Sequence, residues 1–398
     1  MTLHRPHRPH AVAHLIRAVA ALCAAIALIV GCGGGVGVGG TGAYASGPIT
    51  GFGSVIVSGI EFDDNAASVE DEDGVASSRA ALRLGMVTEV DSGPIGGSAT
   101  APTAVATRIR YGSELLGPVS AVDTTTASLV VFGQNVQVTA TTVFDDSLAN
   151  GLASVVVGST VEVYGLFDAA TNGFIATRIE PRSSALFFKV RGPVQNLDTT
   201  AHTFTIGART FGYASVVQVP SGLANGLIVR LRVAPTPAAD PWTVLAFGDG
   251  TRRLPDLDRA ELRGAITAFT SSAQFSVNGQ PVNASAAEFP DGSAGLALGT
   301  QVEVRGPVLA GVLHATRVEI DDHGGPQGGF ELRGAIETFT PAAQLFTLRG
   351  VKVLYGVGTV EFDGGTAANL AAGVKVEVRG VLSADGTRLL ATRIKFDN

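Results

Sequence analysis

Cysteine is almost absent from this chain, and its scarcity excludes a fold held by disulfide bonds. Only Cys23 and Cys32 occur among 398 residues. Cys23 lies in a segment that we expect to be removed, so the processed chain keeps one thiol and cannot form an internal disulfide. Every domain must therefore fold on its hydrophobic core alone.

The motifs that concentrate catalytic chemistry are also missing. The sequence has no Gly-x-Ser-x-Gly nucleophile elbow, no Gly-Lys-Ser/Thr phosphate loop and no His-Glu-x-x-His motif. Beyond the N-terminal segment only His202, His314 and His323 remain, in three separate places, and this spacing does not predict a zinc site. We predict a protein that is not an enzyme and needs neither a metal nor a cofactor.

Aromatic residues are few, at 6% of the chain with one tryptophan. Proteins that bind single-stranded nucleic acid place aromatic platforms in a basic groove, whereas the expected processed chain has 25 basic and 35 acidic residues. We therefore expect no nucleic-acid partner. Sugar binding needs no positive field, and the side chains that could contact such a ligand are Phe52, Tyr164, Phe187 and Trp242.

The N-terminus has the pattern of an export signal. Residues 1–17 carry three Arg, four His and no acid, and 18–30 is a run of 13 apolar residues. A bilayer span takes about 20 residues, so the pattern predicts a signal peptide and no transmembrane anchor.

The end of that segment, Ile29-Val30-Gly31-Cys32, resembles the lipobox of bacterial lipoproteins. The resemblance implies that Cys32 becomes the acylated first residue, carrying fatty acids such as palmitate that together suffice for stable anchoring. Gly33 in place of Asp implies export to the outer membrane, on its periplasmic or its cell-surface face. The alternative is an ordinary cleaved signal peptide with a free Cys32.

Glycine landmarks reveal a tandem repeat. Gly47, Gly117, Gly192, Gly264 and Gly334 are 70, 75, 72 and 70 residues apart. A second signature, Gly-x-x-Val-Glu-Val followed by Ala-Thr-Arg-Ile, recurs with a similar period and is degenerate in the third copy. Two landmarks that keep one period of about 70 residues indicate an array of one folding unit.

Each unit reads as five short strands with a short Ala-rich turn before the fourth. Along 330–337 apolar and polar residues alternate, the period-2 signature of a half-buried strand. This order predicts an all-β array of five small, OB-like five-stranded barrels; a propeller or an immunoglobulin-like sandwich fits the period less well. The predicted segments are the signal peptide 1–31, the lipidated cysteine and Gly-rich tether 32–46, the repeats 47–112, 113–184, 185–248, 259–321 and 330–398, and the linkers 249–258 and 322–329.

The recurring Glu and Arg are predicted to be structural cross-strand pairs on the outer face of each barrel. The third unit has Arg230 in place of the Glu and lacks the Arg, which favours this interpretation. The predicted pairs are Glu89 with Arg108, Glu162 with Arg178, Glu303 with Arg317, and Glu377 with Arg393.

Two further segments carry predictions of their own. Loose linkers predict swivelling between the fourth and fifth units. The acidic segment 63–73 is predicted to be a solvated hairpin, with calcium binding as the alternative.

Taken together, the lipobox and the repeated signature resemble the bacterial lipoproteins catalogued as domain of unknown function five-six-six-six. The resemblance implies tandem barrel modules on exported proteins of Gram-negative bacteria, and it carries no established activity. We expect a non-catalytic binding or spacer module on the envelope, with an envelope polysaccharide or a protein as its partner. The alternative is a hydrolase-like envelope enzyme with a carboxylate site between barrels.

Overall fold

The computed structural model describes Met1, Gly250 and residues 40–98, 101–168, 171–235, 240–248, 254–320 and 329–397. The leader, Cys32 and most of the linker at 322–329 lie outside the described residues. The described part is all-β, as predicted: it contains strands and four 3₁₀ turns, at 79–81, 151–154, 341–343 and 367–369, and no α-helix. Nor does it contain a helix with the length and apolar character needed to cross a membrane.

The strands fall into five groups that follow the repeat. The first group is β1 (Gly40–Phe52), β2 (Val55–Val57), β3 (Ile60–Asp63), β4 (Ser68–Asp71), β5 (Val87–Ser92), β6 (Gly96–Ser98) and β7 (Ala101–Tyr111). The second is β8 (Leu115–Asp123), β9 (Ser128–Val131), β10 (Gln134–Gln137), β11 (Val143–Phe144), β12 (Thr160–Asp168) and β13 (Gly173–Pro181).

The other three groups follow in chain order. The third is β14 (Phe188–Pro193), β15 (Gln195–Asp198), β16 (Thr203–Ile206), β17 (Arg209–Gly212), β18 (Ile228–Val233) and β19 (Trp242–Gly248). The fourth is β20 (Leu257–Ser271), β21 (Gln274–Val277), β22 (Gln280–Asn283), β23 (Gln301–Leu309), β24 (Val312–His314) and β25 (Arg317–Ile320). The fifth is β26 (Phe330–Ala335), β27 (Thr338–Thr340), β28 (Leu345–Leu348), β29 (Val351–Leu354), β30 (Glu361–Asp363), β31 (Lys375–Leu382) and β32 (Leu389–Phe396).

Within a unit the strands close into a small barrel. In the second unit β8 pairs with β9, and β9 pairs with β10, both antiparallel. β10 runs parallel to β13, which is antiparallel to β12, and β12 returns to β8. These five strands form a closed ring with the connectivity of an OB-fold, and the short β11 pairs with β13 beside it. It confirms the predicted small, closed five-stranded barrel.

The glycine landmarks have two local causes. A Cβ at Gly117 would lie 2.9 Å from the Cβ of Phe132, which sits in the β9–β10 turn packed over the first strand. Gly158, just before the fourth strand, has a φ of 89°, in a region that favours glycine. The repeated glycines therefore mark two kinds of position in a unit: one where another residue packs closely against the first strand, and one in a left-handed turn.

The first strands also join different barrels. β1 runs parallel to β20 over residues 43–46 and touches β26 at 51–52, while β8 is antiparallel to β14. Within a barrel, the N-terminal half of the first strand uses one edge to pair with the fourth strand. The opposite edge of that half is open to pairing with another chain segment. Residues 40–46, predicted to be tether, are consequently part of β1.

These pairings do not fit a string of independent beads. Phe144 N–H donates to the carbonyl of Gly386 at 2.9 Å, and Lys352 lies 3.0 Å from Asp146, so the fifth unit contacts the second. One buried apolar cluster spans the first and fifth units, a second spans the second and third, and a third belongs mainly to the fourth. The expected swivelling of the fifth unit is wrong for residues 329–397, since their strand edge and their core are shared with the first unit.

Candidate functional site

A polar groove of about 790 Å³ lies where the first, fourth and fifth units meet. Its position follows from the strand pairing, because β1 lies between β20 and β26 and holds the two barrels on either side of it. The cationic side chains that line it are Arg259, Arg263, Arg305, Arg333 and Arg379. The acidic ones are Glu61, Glu261, Glu303, Glu319 and Glu331.

Most of these charges belong to two equivalent sets, which we call the quartets. The fourth-unit quartet is Glu261 and Arg263 on β20 with Glu303 and Arg305 on β23; the fifth-unit quartet is Glu331 and Arg333 on β26 with Glu377 and Arg379 on β31. In both, an acid stands opposite an arginine across the antiparallel strands. The sequence shows the equivalence directly, since both units contain Glu-Leu-Arg-Gly and Val-Glu-Val-Arg-Gly.

Ion pairs connect the members of each quartet. Arg305 lies 2.5 Å from both Glu261 and Glu303, and Arg263 contacts Glu303. In the fifth unit Arg333 lies 2.7 Å from Glu377. The fourth-unit quartet is the more buried: the side chain of Glu261 is 1% exposed and that of Glu303 is 7% exposed.

Glu261 and Glu303 are two buried carboxyl groups that both contact Arg305. Burial, the hydrogen bond to Glu303 and the charge of Glu303 raise the pKa of Glu261 from 4.5 to about 8. Burial alone would raise the pKa of Glu303 too, but the Arg263 guanidinium, the hydrogen bond and Arg305 outweigh it and lower that pKa. Glu261 Oε2 meets no hydrogen-bond donor among the described residues, so the ionised form lacks the hydrogen bonds that would stabilise it there.

This pair makes stability depend on pH in one direction. Between pH 4.5 and about 8 the folded protein holds a proton on Glu261 that the unfolded chain releases, so stability falls as the pH rises through this range. The expected loss is about 3–4 kcal/mol. Glu261→Gln keeps a neutral donor to Glu303 and should flatten the dependence, as measured by urea denaturation at pH 5–9. An equal slope in the variant and the wild type would contradict the assignment.

The predicted Glu–Arg pairs are wrong in register. Opposite Glu162 stands Glu180, and Arg178 faces Tyr164 instead. The same two-residue offset places Lys395 opposite Glu377, Glu319 opposite Glu303 and Arg305 opposite Arg317. It also places Arg110 opposite Glu89 and Asp91 opposite Arg108. Hairpin length and, in three of the four units, a bulge beside the signature set this offset.

The residues of those pairs find other partners. Arg178 binds Glu180 at 2.5 Å, and Arg393 binds Asp363 at 2.9 Å. Several are also buried, because neighbouring strands and units cover the barrel faces that we had expected to face solvent: Glu162 is 5% and Arg178 is 6% exposed.

The acidic hairpin connects the first unit to the third. The Glu72 carboxylate lies 2.5 Å from Lys189 Nζ, Asp73 contacts Arg232, and Arg230 donates to the Glu72 carbonyl at 3.3 Å. The expectation of a solvated hairpin is therefore wrong at its tip. No three His, Cys, Asp or Glu side chains of the described residues are arranged to hold a metal ion.

In the third unit all four positions that correspond to a quartet are basic: they are Lys189, Arg191, Arg230 and Arg232. Lys189 stands opposite Arg232, and Arg191 opposite Arg230. Like charges at such positions are unfavourable by themselves, and acids from the first and second units neutralise them: besides the hairpin, Glu162 lies 3.1 Å from Lys189 and Glu114 lies 2.9 Å from Arg191. A cavity of about 120 Å³ lies beside this junction.

The four aromatic residues proposed as ligand contacts lie apart from the groove. Tyr164 and Trp242 are each 2% exposed in apolar clusters, so a ligand cannot reach their rings, and burial raises the pKa of Tyr164. The Phe187 ring packs against Arg232 at 4.5 Å, and Phe52 packs on the core shared by the first and fifth units. For Tyr164 and Trp242 the prediction is wrong, because alternation along a strand does not show which face a second barrel covers.

The groove offers binding chemistry more readily than acid–base chemistry. Guanidiniums donate, carboxylates accept, and in the quartets they lie side by side. Arg305 lies 2.5 Å from both Glu261 and Glu303, whose side chains are only 1% and 7% exposed, so a substrate has little access to these carboxyls. Sequence reasoning missed this site, although the repeated Glu-Leu-Arg-Gly and Val-Glu-Val-Arg-Gly motifs were a visible signal for it.

A protein-family model described as Domain of unknown function (DUF5666) matches residues 117–180, 263–319 and 333–395. These segments lie in the second, fourth and fifth units, two of which carry the quartets that line the groove. No curated protein matches the chain.

Proposed function

The chain belongs to the DUF5666 family through three of its repeats, and from this premise we propose that it is a non-catalytic binding module of the bacterial cell envelope. In this proposal an array of five OB-like barrels is assembled around shared strand edges. The family has no assigned role, so the proposal is supported by the site itself.

The observation that carries the proposal is the groove. Its volume, about 790 Å³, falls within the range of ligand sites. Its arginines are partly accessible, since the side chains of Arg259 and Arg379 are 44% and 51% exposed. Three units contribute to its walls, and a spacer would not require such a site. The groove therefore supports a binding module better than it supports a purely structural spacer.

The location follows from the N-terminus. A lipid-anchored protein has its acylated cysteine at the membrane, and the resemblance of residues 29–32 to a lipobox supports Cys32 as that residue. We propose attachment to the outer membrane, with an envelope polysaccharide as the partner in preference to a protein. The acidic balance of the chain, with 28 basic and 35 acidic residues in full, favours neither nucleic acid nor anionic lipid as its ligand.

One fractionation experiment tests both parts. The wild type should sediment with outer membranes, whereas Cys32→Ala should leave the membrane fraction and still co-sediment with purified cell walls. Adding Arg259→Gln and Arg379→Gln to Cys32→Ala should release the protein into the soluble fraction. Both arginines are exposed, so their loss should cost at most about 1 kcal/mol of stability.

The matched control is Arg388→Gln with Arg393→Gln in the Cys32→Ala background. It removes the same charge from two positions of the fifth unit outside the groove, the exposed Arg388 and the half-buried Arg393. Continued wall binding by the groove variant would place the binding elsewhere. Membrane retention of Cys32→Ala would refute the anchor.

The second candidate function is a hydrolase-like enzyme, and the carboxyl pair favours it. Glu261 holds a proton near neutral pH beside ionised Glu303, as a general acid beside a carboxylate would. Against this candidate, Glu261 is only 1% exposed. Turnover of a wall substrate by the wild type that Glu261→Gln abolishes would favour the enzyme, whereas a binding module should show no turnover in either protein.

A further inference from the structure

The charges lining the groove balance. Five arginines face five glutamates, and at neutral pH the retained proton on Glu261 changes this balance by only one unit. A polyanion or a polycation would meet as much repulsion as attraction there, because selection of a charged polymer requires a surface of the opposite sign. The lining therefore favours a polar ligand with little net charge.

Donors and acceptors alternate over short distances. Arg379 lies 3.1 Å from Glu331 and 3.5 Å from Glu377, and Arg305 adjoins two carboxylates in the fourth unit. A hydroxyl group is both a donor and an acceptor, so neighbouring hydroxyls can accept from a guanidinium and donate to the adjacent carboxylate. Hydrogen bonds to charged groups are about twice as strong as neutral ones.

The two quartets repeat the same recognition surface along β1. Glu261 belongs to the strand position paired with Ala45, and Glu331 to the one paired with Gly51. Six residues of extended chain span roughly 20 Å. A ligand that engages both quartets must therefore be several monomers long and must present the same groups repeatedly.

Apart from Glu61, the part of the groove wall that the first unit provides carries no charge. Ile56, Ile95 and Pro102 line it together with Gly96 and Gly97. Small apolar side chains can cover the C–H faces of a sugar ring, and the glycines permit close approach of a ligand to the backbone. No aromatic residue is among the lining residues that the structure describes, so stacking is not the means of recognition.

We propose that the groove binds an extended, uncharged oligosaccharide whose hydroxyl groups bind the partly exposed side chains of the two quartets: Arg305 in the fourth unit, and Glu331, Arg333 and Arg379 in the fifth. The inference rests on the proposed binding function and names its ligand class. Chains shorter than the distance between the quartets bind more weakly, because they engage one quartet only.

Calorimetric titration of the purified, leader-less Cys32→Ala protein tests the inference with defined probes. Chitopentaose, cellopentaose and maltoheptaose are the neutral probes, the disaccharides of the same sugars are the short ones, and pentagalacturonate is the anionic one. At least one neutral long probe should bind, and its disaccharide should bind at least about tenfold more weakly. Arg259→Gln with Arg379→Gln should weaken the long probe by at least about tenfold, whereas Arg388→Gln with Arg393→Gln should leave it unchanged.

The outcomes distinguish an error in the proposed ligand class from an error in the proposed binding function. Tighter binding of pentagalacturonate than of every neutral probe, or groove-dependent wall binding with no neutral probe bound, would overturn the ligand class and leave the binding function standing. Equal affinity for the long probe and its disaccharide would overturn the two-quartet arrangement. Binding of neither walls nor probes would overturn both.

Discussion

Lys189→Met is expected to destabilise the protein by about 3–5 kcal/mol. Lys189 Nζ lies 2.5 Å from Glu72, 3.1 Å from Glu162 and 2.9 Å from Ser113 Oγ, and these contacts join the first, second and third units. The carboxylates of Glu72 and Glu162 are only 4% and 6% exposed. Without the ammonium group these two carboxylates would be buried near each other with too little positive charge beside them. Burying the uncompensated charges costs more free energy than the loss of the contacts with Lys189.

The matched control is Lys352→Met. Lys352 also joins two units, with Asp146 at 3.0 Å, but both side chains are about half exposed, at 40% and 48%. Its loss should cost at most about 1 kcal/mol. Urea denaturation of both variants measures the difference.

A rescue variant separates charge from packing. Glu72→Gln with Glu162→Gln in the Lys189→Met background removes the uncompensated charges, and it should restore a large part of the lost stability. The direction of the pKa shifts agrees: burial would raise the pKa of Glu162, but Lys189 and Arg182 outweigh it and lower that pKa. If the triple variant were no more stable than Lys189→Met, the loss would be one of packing and the electrostatic explanation would fail.

Phe132→Ala should cost about 3–5 kcal/mol, because this ring lies between the second and third units. It is fully buried and makes edge-to-face contacts with Phe188 at 5.5 Å, Phe211 at 5.8 Å and Trp242 at 4.6 Å. Those three partners belong to the third unit. The φ of Phe132 is 48°, a left-handed conformation that a bulky side chain adopts only where the gain in packing exceeds its strain.

Fluorescence makes the second prediction specific. Trp242 is the single tryptophan of the chain, and its emission should shift to the red at lower urea in Phe132→Ala than in the wild type. Phe269→Ala, at a ring that is 37% exposed, is the control and should cost under about 1 kcal/mol. A Phe132→Ala protein as stable as the control would show that the two barrels do not depend on this contact.

Local patterns predicted the barrel correctly. Alternating burial identifies strands such as β16 and β28, whose inward residues Phe204 and Phe346 are buried. The glycine period marks turns whose backbone excludes other residues, as at Gly158. Such features depend on neighbours along the chain, so one sequence suffices to read them.

The site could not be predicted in the same way. Glu303 was assigned to Arg317, but the register places Glu319 opposite it, and Arg263 and Arg305 bind it. Arg230 was interpreted as the loss of a pair, whereas it belongs to a basic quartet that receives its acids from two other units. Neither assignment follows from spacing, since a shift of register changes every partner.

By itself the sequence determined an all-β chain of repeated, closed five-stranded units and the positions of their tight turns. Those features follow from alternation of side chains and from backbone conformations that only glycine adopts readily. The tertiary structure alone decided that the open edge of one first strand is covered by another, that the fifth unit shares its core with the first, and that the groove lies among three barrels. Strand edges expose the same N–H and C=O groups whatever their side chains are, so the choice of partner depends on how whole barrels fit together.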